Sequence, residues 1–294
     1  MKRLIILLFV IGCFIARGQE LMVGSYNIRC VMHSDKTKGD IWENRYPKLC
    51  AQINFVEPDI FGTQEASHKQ LKQMLTVLKD YSYIGVGRDN GMKKGEHSAI
   101  FYNKTKYELL DSGNFWLNES PDKPVIGWDA AKKRICSWGL FKEKSSGKKL
   151  FFFNLHLDHK GKEAIEKGSQ LVLKKIKEIA NNTPVILTGD FNSDQNSPAY
   201  NTISQSGFLF DTYTLAENIF AENGTYNAFS PEKKTNRRID HIFVSEDFLV
   251  KNYAVLTDGY WTENTDKKTK EDKPFIKRTF SDHYPIFVKL KFNK

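Results

Sequence analysis

Pro184-Val185-Ile186-Leu187-Thr188-Gly189-Asp190-Phe191-Asn192-Ser193 is an apolar run that ends in Gly-Asp-x-Asn. The run reads as a buried strand. Gly189 breaks it just before Asp190, so two polar side chains fall at the strand's carboxyl end instead of in the core. Asp190 and Asn192 stand two residues apart and point to the same side of an extended chain. A carboxylate can bind a hard cation or take a proton from water, while a carboxamide can donate to an anionic oxygen without repelling it. The same residues also fit an Asx turn that closes a core strand. The stretch acquires meaning only from the polar residues elsewhere in the chain.

Just upstream, Lys149 to Leu157 reads as another strand, with Asn154, His156 and Asp158 on one face by its period of two. Between the two strands lies the clearest helical pattern in the chain. Ile165, Val172, Ile176 and Ile179 are aligned and Lys174, Lys175 and Lys177 lie off that stripe, as in a helix that covers a sheet. Downstream, a polar, basic loop from Ser230 to Arg238 leads into a strand, Ile239 to Val244, that carries Asp240. Trp261 to Lys277 reads as a long charged loop, and Val288 to Phe292 as a closing strand just after Ser281-Asp282-His283.

The amino-terminal half has the same grammar. Leu21 to Ile28 is a strand with Asn27 at its tip, and Asp59 to Glu65 a short strand with an acidic last residue. Tyr46, Leu49, Ile53 and Val56 repeat at helical spacing until Pro58, Leu71, Met74, Leu75 and Leu78 mark another helix, and Ser98 to Tyr102 reads as a strand. Short strands alternating with a few helices indicate a β-rich, layered α/β domain, with polar residues repeatedly at strand ends.

Met1-Lys2-Arg3, the apolar Leu4 to Ile11 and Ala16-Arg17-Gly18 describe a secretory leader, residues 1–18, whose apolar part is too short to span a bilayer. Export is expected, to the periplasm or the medium. Val10-Ile11-Gly12-Cys13 also resembles a bacterial lipobox, which would make Cys13 a lipid anchor and the protein an outer-membrane lipoprotein. Residues 19–294 are enough for one domain with a large core. Without Lys2, Arg3 and Arg17 the formal charge of +9 becomes +6, which suits an anionic partner. Cys30, Cys50 and Cys136, an odd set, exclude a fully paired disulfide framework.

Taken in order, Ser25-Tyr26-Asn27-Ile28-Arg29, Gln64-Glu65, Gly95-Glu96, Asn154-Leu155-His156-Leu157-Asp158, Gly189-Asp190-Phe191-Asn192, Arg238-Ile239-Asp240 and Ser281-Asp282-His283 resemble the endonuclease/exonuclease/phosphatase superfamily over nearly the whole chain past the leader. The resemblance implies a DNase I-like, four-layered α-β-β-α sandwich with two packed mixed sheets and a phosphoesterase centre at one edge that uses Mg²⁺ or Mn²⁺. Asn27, Glu65, Asp190 and Asp282 correspond to metal-holding positions. Three converging carboxylates make electrostatic sense only around a cation. His283 paired with Asp240, and His156 oriented by Glu96, match catalytic positions, and Asn192 completes the polar wall. A carboxylate behind a histidine fixes its tautomer and raises its basicity. Either Asp190 or His283 can serve as the base.

The superfamily includes nucleases, deadenylases, inositol polyphosphate phosphatases and sphingomyelinases. Asn236-Arg237-Arg238-Ile239-Asp240 departs from the inositol-phosphatase pattern. Asp158-His159, and an insert comprising Gly127 to Ala130 and Arg134 to Trp138, resemble an exported bacterial subgroup. Arg88 and Arg134 are candidate substrate contacts, and Trp128 stacks on a base or sugar or simply packs beneath a loop. Basic runs at Lys132-Lys133-Arg134 and Lys233 to Arg238 suit a polyanion, and no apolar membrane-docking hairpin is evident. The expected partner is nucleic acid or a phosphorylated small molecule. Phosphodiester hydrolysis, as in a nuclease, is the leading expectation, with a phosphatase or phospholipid phosphodiesterase as the alternative. A binding protein that has lost turnover is a third, remote reading.

Overall fold

A computed structural model describes residues 20–37, 39–265, 269 and 272–293. The leader and Cys13 lie outside the described residues. The elements run β1 (Glu20–Asn27), α1 (His33–Thr37), α2 (Trp42–Val56), β2 (Ile60–Ala66), α3 (His68–Val77), β3 (Tyr81–Ile84), β4 (His97–Asn103), β5 (Tyr107–Trp116), β6 (Ile135–Glu143) and β7 (Lys149–His156). They continue with α4 (Lys162–Ala180), β8 (Val185–Asp190), α5 (Pro198–Ser204), β9 (Phe210–Asp211), α6 (Thr212–Leu215), β10 (Asn218–Phe220), β11 (Asp240–Val244), β12 (Phe248–Val255), β13 (Gly259–Glu263), β14 (Phe275–Thr279) and β15 (Ile286–Phe292). Among the described residues no helix is long and apolar enough to cross a membrane.

One sheet has the order β10-β12-β15-β1-β2-β4-β3 and the other β5-β6-β7-β8-β11-β9. Both are mixed: β1 runs parallel to β2 and antiparallel to β15, and β7 runs parallel to β8 among antiparallel neighbours. Inward-facing residues such as Val23, Ile60, Phe152, Ile186 and Val288 fill the space between the sheets. On the outer face of the second sheet, Val172 and Ile176 of α4 cover Phe153, Val185 and Leu187. Leu49 and Ile53 of α2, with Leu71 and Met74 of α3, cover Phe61 and Phe101 on the first. The fold is the α/β sandwich with two mixed sheets flanked by helices, because each sheet buries one face on its partner and the other under amphipathic helices.

Two expectations change. Ile135 to Trp138, read as part of an insert, opens β6, which pairs with β5 and β7 inside the second sheet. The segment read as a charged loop from Trp261 to Lys277 has a two-stranded hairpin, β13 with β14, at its root, and Trp261 and Phe275 are exposed on it.

The two sheets are joined across the core by a polar seam. Asn154, fully buried, donates through Nδ2 to the carbonyls of Thr63 and Ala99 at 2.9 and 3.0 Å. Its Oδ1 accepts from Gln64 Nε2 at 2.7 Å and from Thr188 Oγ1 at 3.1 Å. All four hydrogen-bonding positions of the amide are used, which is what burial of such a group requires. Gly62 makes room for it, since a Cβ there would collide with Asn154 Oδ1.

A second buried clip shapes the rim of the sandwich. Asp158, just past β7, accepts from the backbone N–H groups of Ala131, Lys132, Lys160 and Gly161 at 3.0–3.2 Å and from Arg134 Nε at 3.2 Å. It therefore does not share a strand face with His156. It fastens the 127–134 loop to the strand end. Those donors outweigh the cost of burial and hold its carboxyl well below the ordinary carboxylate range.

Replacing Asn154 with Ala removes four buried hydrogen bonds, and we expect a loss of about 2–4 kcal/mol in denaturant unfolding with the slope unchanged. A wild-type midpoint would show that the seam does not hold the sheets. For Asp158, whose folded pKa is depressed, the stabilisation is fully present above the unfolded value of about 3.9 and is lost as pH falls below it. Asp158→Asn is therefore expected to lower the melting temperature at neutral pH and to converge on wild type in acid. A constant offset at every pH would refute this account.

Candidate active site

At one edge of the sandwich the ends of β1, β2, β7, β8 and β11 border a cleft of about 560 Å³. Strand register puts the chemistry there. Asp190 at the end of β8 is paired with His156 at the end of parallel β7 and with Asp240 at the start of antiparallel β11. Three functional side chains thus stand on neighbouring strands, which lie about 4.8 Å apart. In the other sheet Asn27 is paired with Gln64, next to Glu65.

Glu65, Arg29 and Asn192 all adopt left-handed backbone conformations, at φ 64°, 60° and 48°. Such strain in non-glycine residues persists only where the surroundings enforce it, and it collects at functional sites. The turn at Asn192 is the Asx turn foreseen as the plain reading: its N–H donates to Asp190 Oδ1 at 2.8 Å. It also carries the Asn192 amide nitrogen to 2.9 Å from His156 Nε2. An amide nitrogen can only donate, so Nε2 is the acceptor and the His156 proton resides on Nδ1.

Glu65 accepts from Cys30 N–H at 3.0 Å and from Asn27 Nδ2 at 3.1 Å, and Asn27 Nδ2 also donates to Asp190 Oδ2 at 2.9 Å. Asn27 Oδ1 receives the Arg29 N–H at 3.0 Å. Asn27, expected to help hold a metal ion or a phosphate oxygen, here braces two carboxylates. Asp282 lies across the cleft, 3.4 Å from Arg29 Nη1. Behind the floor, His283 Nδ1 and Asp240 Oδ2 are 2.8 Å apart, and His283 Nε2 lies 3.8 Å from Asp190 Oδ2.

Burial and the charge of Asp240 push Asp190 up to about 7. Burial also raises Asp282. For Glu65, the Cys30 N–H and the nearby His283 outweigh burial and lower it. Burial works against a charged His283, but Asp240 and Asp190 overcome it and raise it to about 10. His156, buried and facing Arg134 and Arg88, is held well below the histidine range and is neutral.

The opposite wall is cationic. Arg88 is gripped by both oxygens of Glu96, each at 2.7 Å. Glu96 therefore does not reach His156 as the sequence reading expected, because its carboxylate is taken up by the guanidinium. Arg134, 5% exposed, uses Nε on Asp158 and has Nη2 3.0 Å from His159 Nδ1, while its buried Nη1 has no hydrogen-bond partner among the described residues. Lys132 and His159 line the same wall. Trp128 is on the 127–134 loop and does not line the cleft.

Sequence reasoning missed Arg29 and Tyr226 as cleft residues. Arg29 closes the motif that holds Asn27, which was a usable signal. Tyr226, set edge-on to His283 with ring centres 5.1 Å apart, comes from a loop that carries no local pattern.

One ligand atom each from Asp190, Asp240 and His283 lies within 4.8 Å of the others, so the trio is able to coordinate a divalent ion. The wider donor set fits a hard cation: it is rich in carboxylate oxygen, Asp282 is raised by burial, and Asp240 Oδ1 is buried with no partner among the described residues.

The chain is similar to known proteins along almost all of its length. The solved structure of an endonuclease/exonuclease/phosphatase family protein from Bacteroides thetaiotaomicron is 48% identical, with a TM-score of 0.90 over 94% of this chain and 98% of that one. A mannosyl-6-phosphatase from the same organism is also 48% identical, with a TM-score of 0.88 over 92% of this chain and all of that one. The Saccharomyces cerevisiae 3'-5'-exoribonuclease subunit Ccr4 of the CCR4-Not complex is 24% identical over 301 residues, which cover 86% of this chain but 36% of that protein. A family model matches residues 24–283, the span that holds every strand end described above, and the chain belongs to the Endonuclease/Exonuclease/phosphatase family.

Proposed function

We propose that this protein is a Mg²⁺- or Mn²⁺-dependent phosphatase that hydrolyses phosphomonoesters of small sugars. The observation that carries the reading is Arg134 Nη1, a buried guanidinium donor at the cleft wall with no protein acceptor among the described residues. A buried charged donor without a partner is costly, and a phosphate oxygen is the acceptor it suits. The similarity to a mannosyl-6-phosphatase supports a phosphorylated sugar as the substrate class.

The nuclease reading rested on the basic runs. Arg237 is tied to Asp194 at 2.8 Å, Arg238 to buried Asp211 at 3.1 Å, and Lys233 lies over the Tyr226 ring at 4.3 Å. These charges are committed within the protein, which weakens their case as a groove for a polymer backbone. The exposed Trp261 and Phe275 favour a phospholipid substrate as the second reading, since they supply the apolar surface that the sequence did not reveal.

In this reading Glu65, with Asp190 and Asp282, would hold the ion, which would supply polarisation of a phosphoryl oxygen. Asp190 takes the proton of the attacking water as the water oxygen bonds to phosphorus; the bond from phosphorus to the sugar oxygen breaks, and the sugar leaves as the alcohol after taking a proton from solvent. His283, kept cationic by Asp240, donates to the phosphoryl oxygens as charge builds on them, while Asn192, whose amide nitrogen donates to His156 Nε2 and to the Leu157 carbonyl, holds that histidine in place. Arg134 Nη1 fixes the phosphate, and neutral His156 packs its other side.

A panel of mannose 6-phosphate, DNA, RNA and sphingomyelin vesicles, each with Mg²⁺ or Mn²⁺, tests the substrate class. We expect sugar-phosphate turnover that EDTA abolishes, a fall of at least about a hundredfold in Glu65→Gln, and a rise in KM of about ten- to a hundredfold in Arg134→Met. Turnover confined to nucleic acid or vesicles would replace the reading, and full activity in EDTA would remove the metal. Asp240→Asn is expected to keep the fold while costing about two to four orders of magnitude in kcat, because His283 loses the group that orients and charges it. A wild-type rate in that variant would remove the paired-histidine role.

A further inference from the structure

Beside the cleft lies a second chamber of about 260 Å³, lined by Asn192, Tyr226, Lys233, Thr235, Arg237 and Ile239. Asn192, Tyr226 and Ile239 line both spaces, so the chamber adjoins the reacting centre. Its wall is built, not casual. Gly224 N–H donates to the Thr235 carbonyl at 2.7 Å and Thr225 N–H to the Arg237 carbonyl at 3.2 Å. Asn223 braces the same ribbon, donating to the Lys233 carbonyl at 2.7 Å and accepting from Thr235 N–H at 2.9 Å. A Cβ at Gly224 would collide with the Arg237 carbonyl. Thr225 Oγ1 accepts from the N–H groups of Ile239 and Asp240 at 3.0 and 3.1 Å, and Tyr226 forms an isolated β-bridge with His283. The wall is thereby locked to two residues of the centre itself, and a preformed pocket is the kind that binds with little ordering cost.

We propose that this chamber is a subsite for a second sugar ring, so that the preferred substrate is a phosphorylated oligosaccharide and not a free hexose phosphate. This rests on the phosphatase reading above. The lining offers the Tyr226 ring, the Thr235 hydroxyl, the Lys233 ammonium and the Asn192 carboxamide oxygen, beside the Arg237 guanidinium and one aliphatic side chain, a mixture suited to a polyhydroxylated ring. A second phosphate fits less well, because Arg237, one of the two cations in the lining, is already paired with Asp194. The leaving sugar enters from the cleft, and the ring joined to it passes between Tyr226 and Asn192.

The test compares kcat/KM for mannose 6-phosphate and for mannobiose phosphorylated at one 6-hydroxyl, in wild type, Thr235→Val and Lys233→Met, with melting temperatures to confirm folding. We expect the disaccharide to be preferred by at least about tenfold, since binding energy from the remote ring is realised at the reacting phosphate. In both variants that ratio should fall toward one. Equal kcat/KM for the two sugars in wild type, or a ratio unmoved by both substitutions, overturns the subsite while leaving the phosphatase reading intact. A bisphosphorylated sugar preferred over the monophosphorylated disaccharide overturns it in favour of an anion pocket. Turnover of neither sugar, with nucleic acid or vesicles hydrolysed instead, overturns the phosphatase reading and the subsite together.

Discussion

The relative placement of the two sheets rests on one amide. Asn154 stands in the apolar space between them and satisfies carbonyls of β2 and β4 on one side while accepting from Gln64 and Thr188. Apolar packing alone would tolerate sliding, because hydrophobic contact is not directional. Three hydrogen bonds of fixed geometry across to Thr63, Gln64 and Ala99, admitted by a glycine at position 62, do not. The consequence is chemical: Glu65 comes from one sheet and His156, Asp190 and Asp240 from the other, so any shift at the seam would separate the groups that must act together.

At the edge the governing term becomes electrostatic. Glu65, Asp190, Asp240 and Asp282 converge in a poorly solvated place where like charges repel strongly. The protein offsets this with the Asn27 amide between two of them, with Arg29 beside Asp282 and with a histidine held charged by Asp240. Left-handed backbone at Arg29, Glu65 and Asn192 adds strain to that arrangement. Stability is given up locally for a site that a cation and an anionic substrate would together relieve.

Opposite this acidic floor, the cationic wall is made by loops, each fastened by a carboxylate. Glu96 holds Arg88, and Asp158 holds the segment that presents Lys132 and Arg134. The floor belongs to the strands and the wall to the connections. This division explains how one fold supports many phosphoester substrates: the reacting centre stays with the sheets, while the loops decide what sits beside the phosphate.

The sequence by itself determined the layered α/β class, most strands and helices, and the polar residues at the strand ends, because these are written locally in periods of two and 3.6 and in short motifs such as Gly189-Asp190-Phe191-Asn192. It did not reveal β6 as a strand of the second sheet, because Arg134 to Trp138 read as part of an insert continuous with the loop before it. Nor did it show the β13–β14 hairpin within a charged stretch. What Glu96, Asn27 and Arg134 touch was decided by tertiary structure alone. Glu96 meets Arg88 before it can meet His156, Asn27 lies between two carboxylates, and cleft-lining Arg134 keeps one buried nitrogen without a partner among the described residues. Tyr226 reaches the site from a loop tied to Asp282, far along the chain. The physical reason is that a residue's type and spacing fix what it can bond to, whereas which partner it meets depends on chain segments brought together only by the packing of the two sheets.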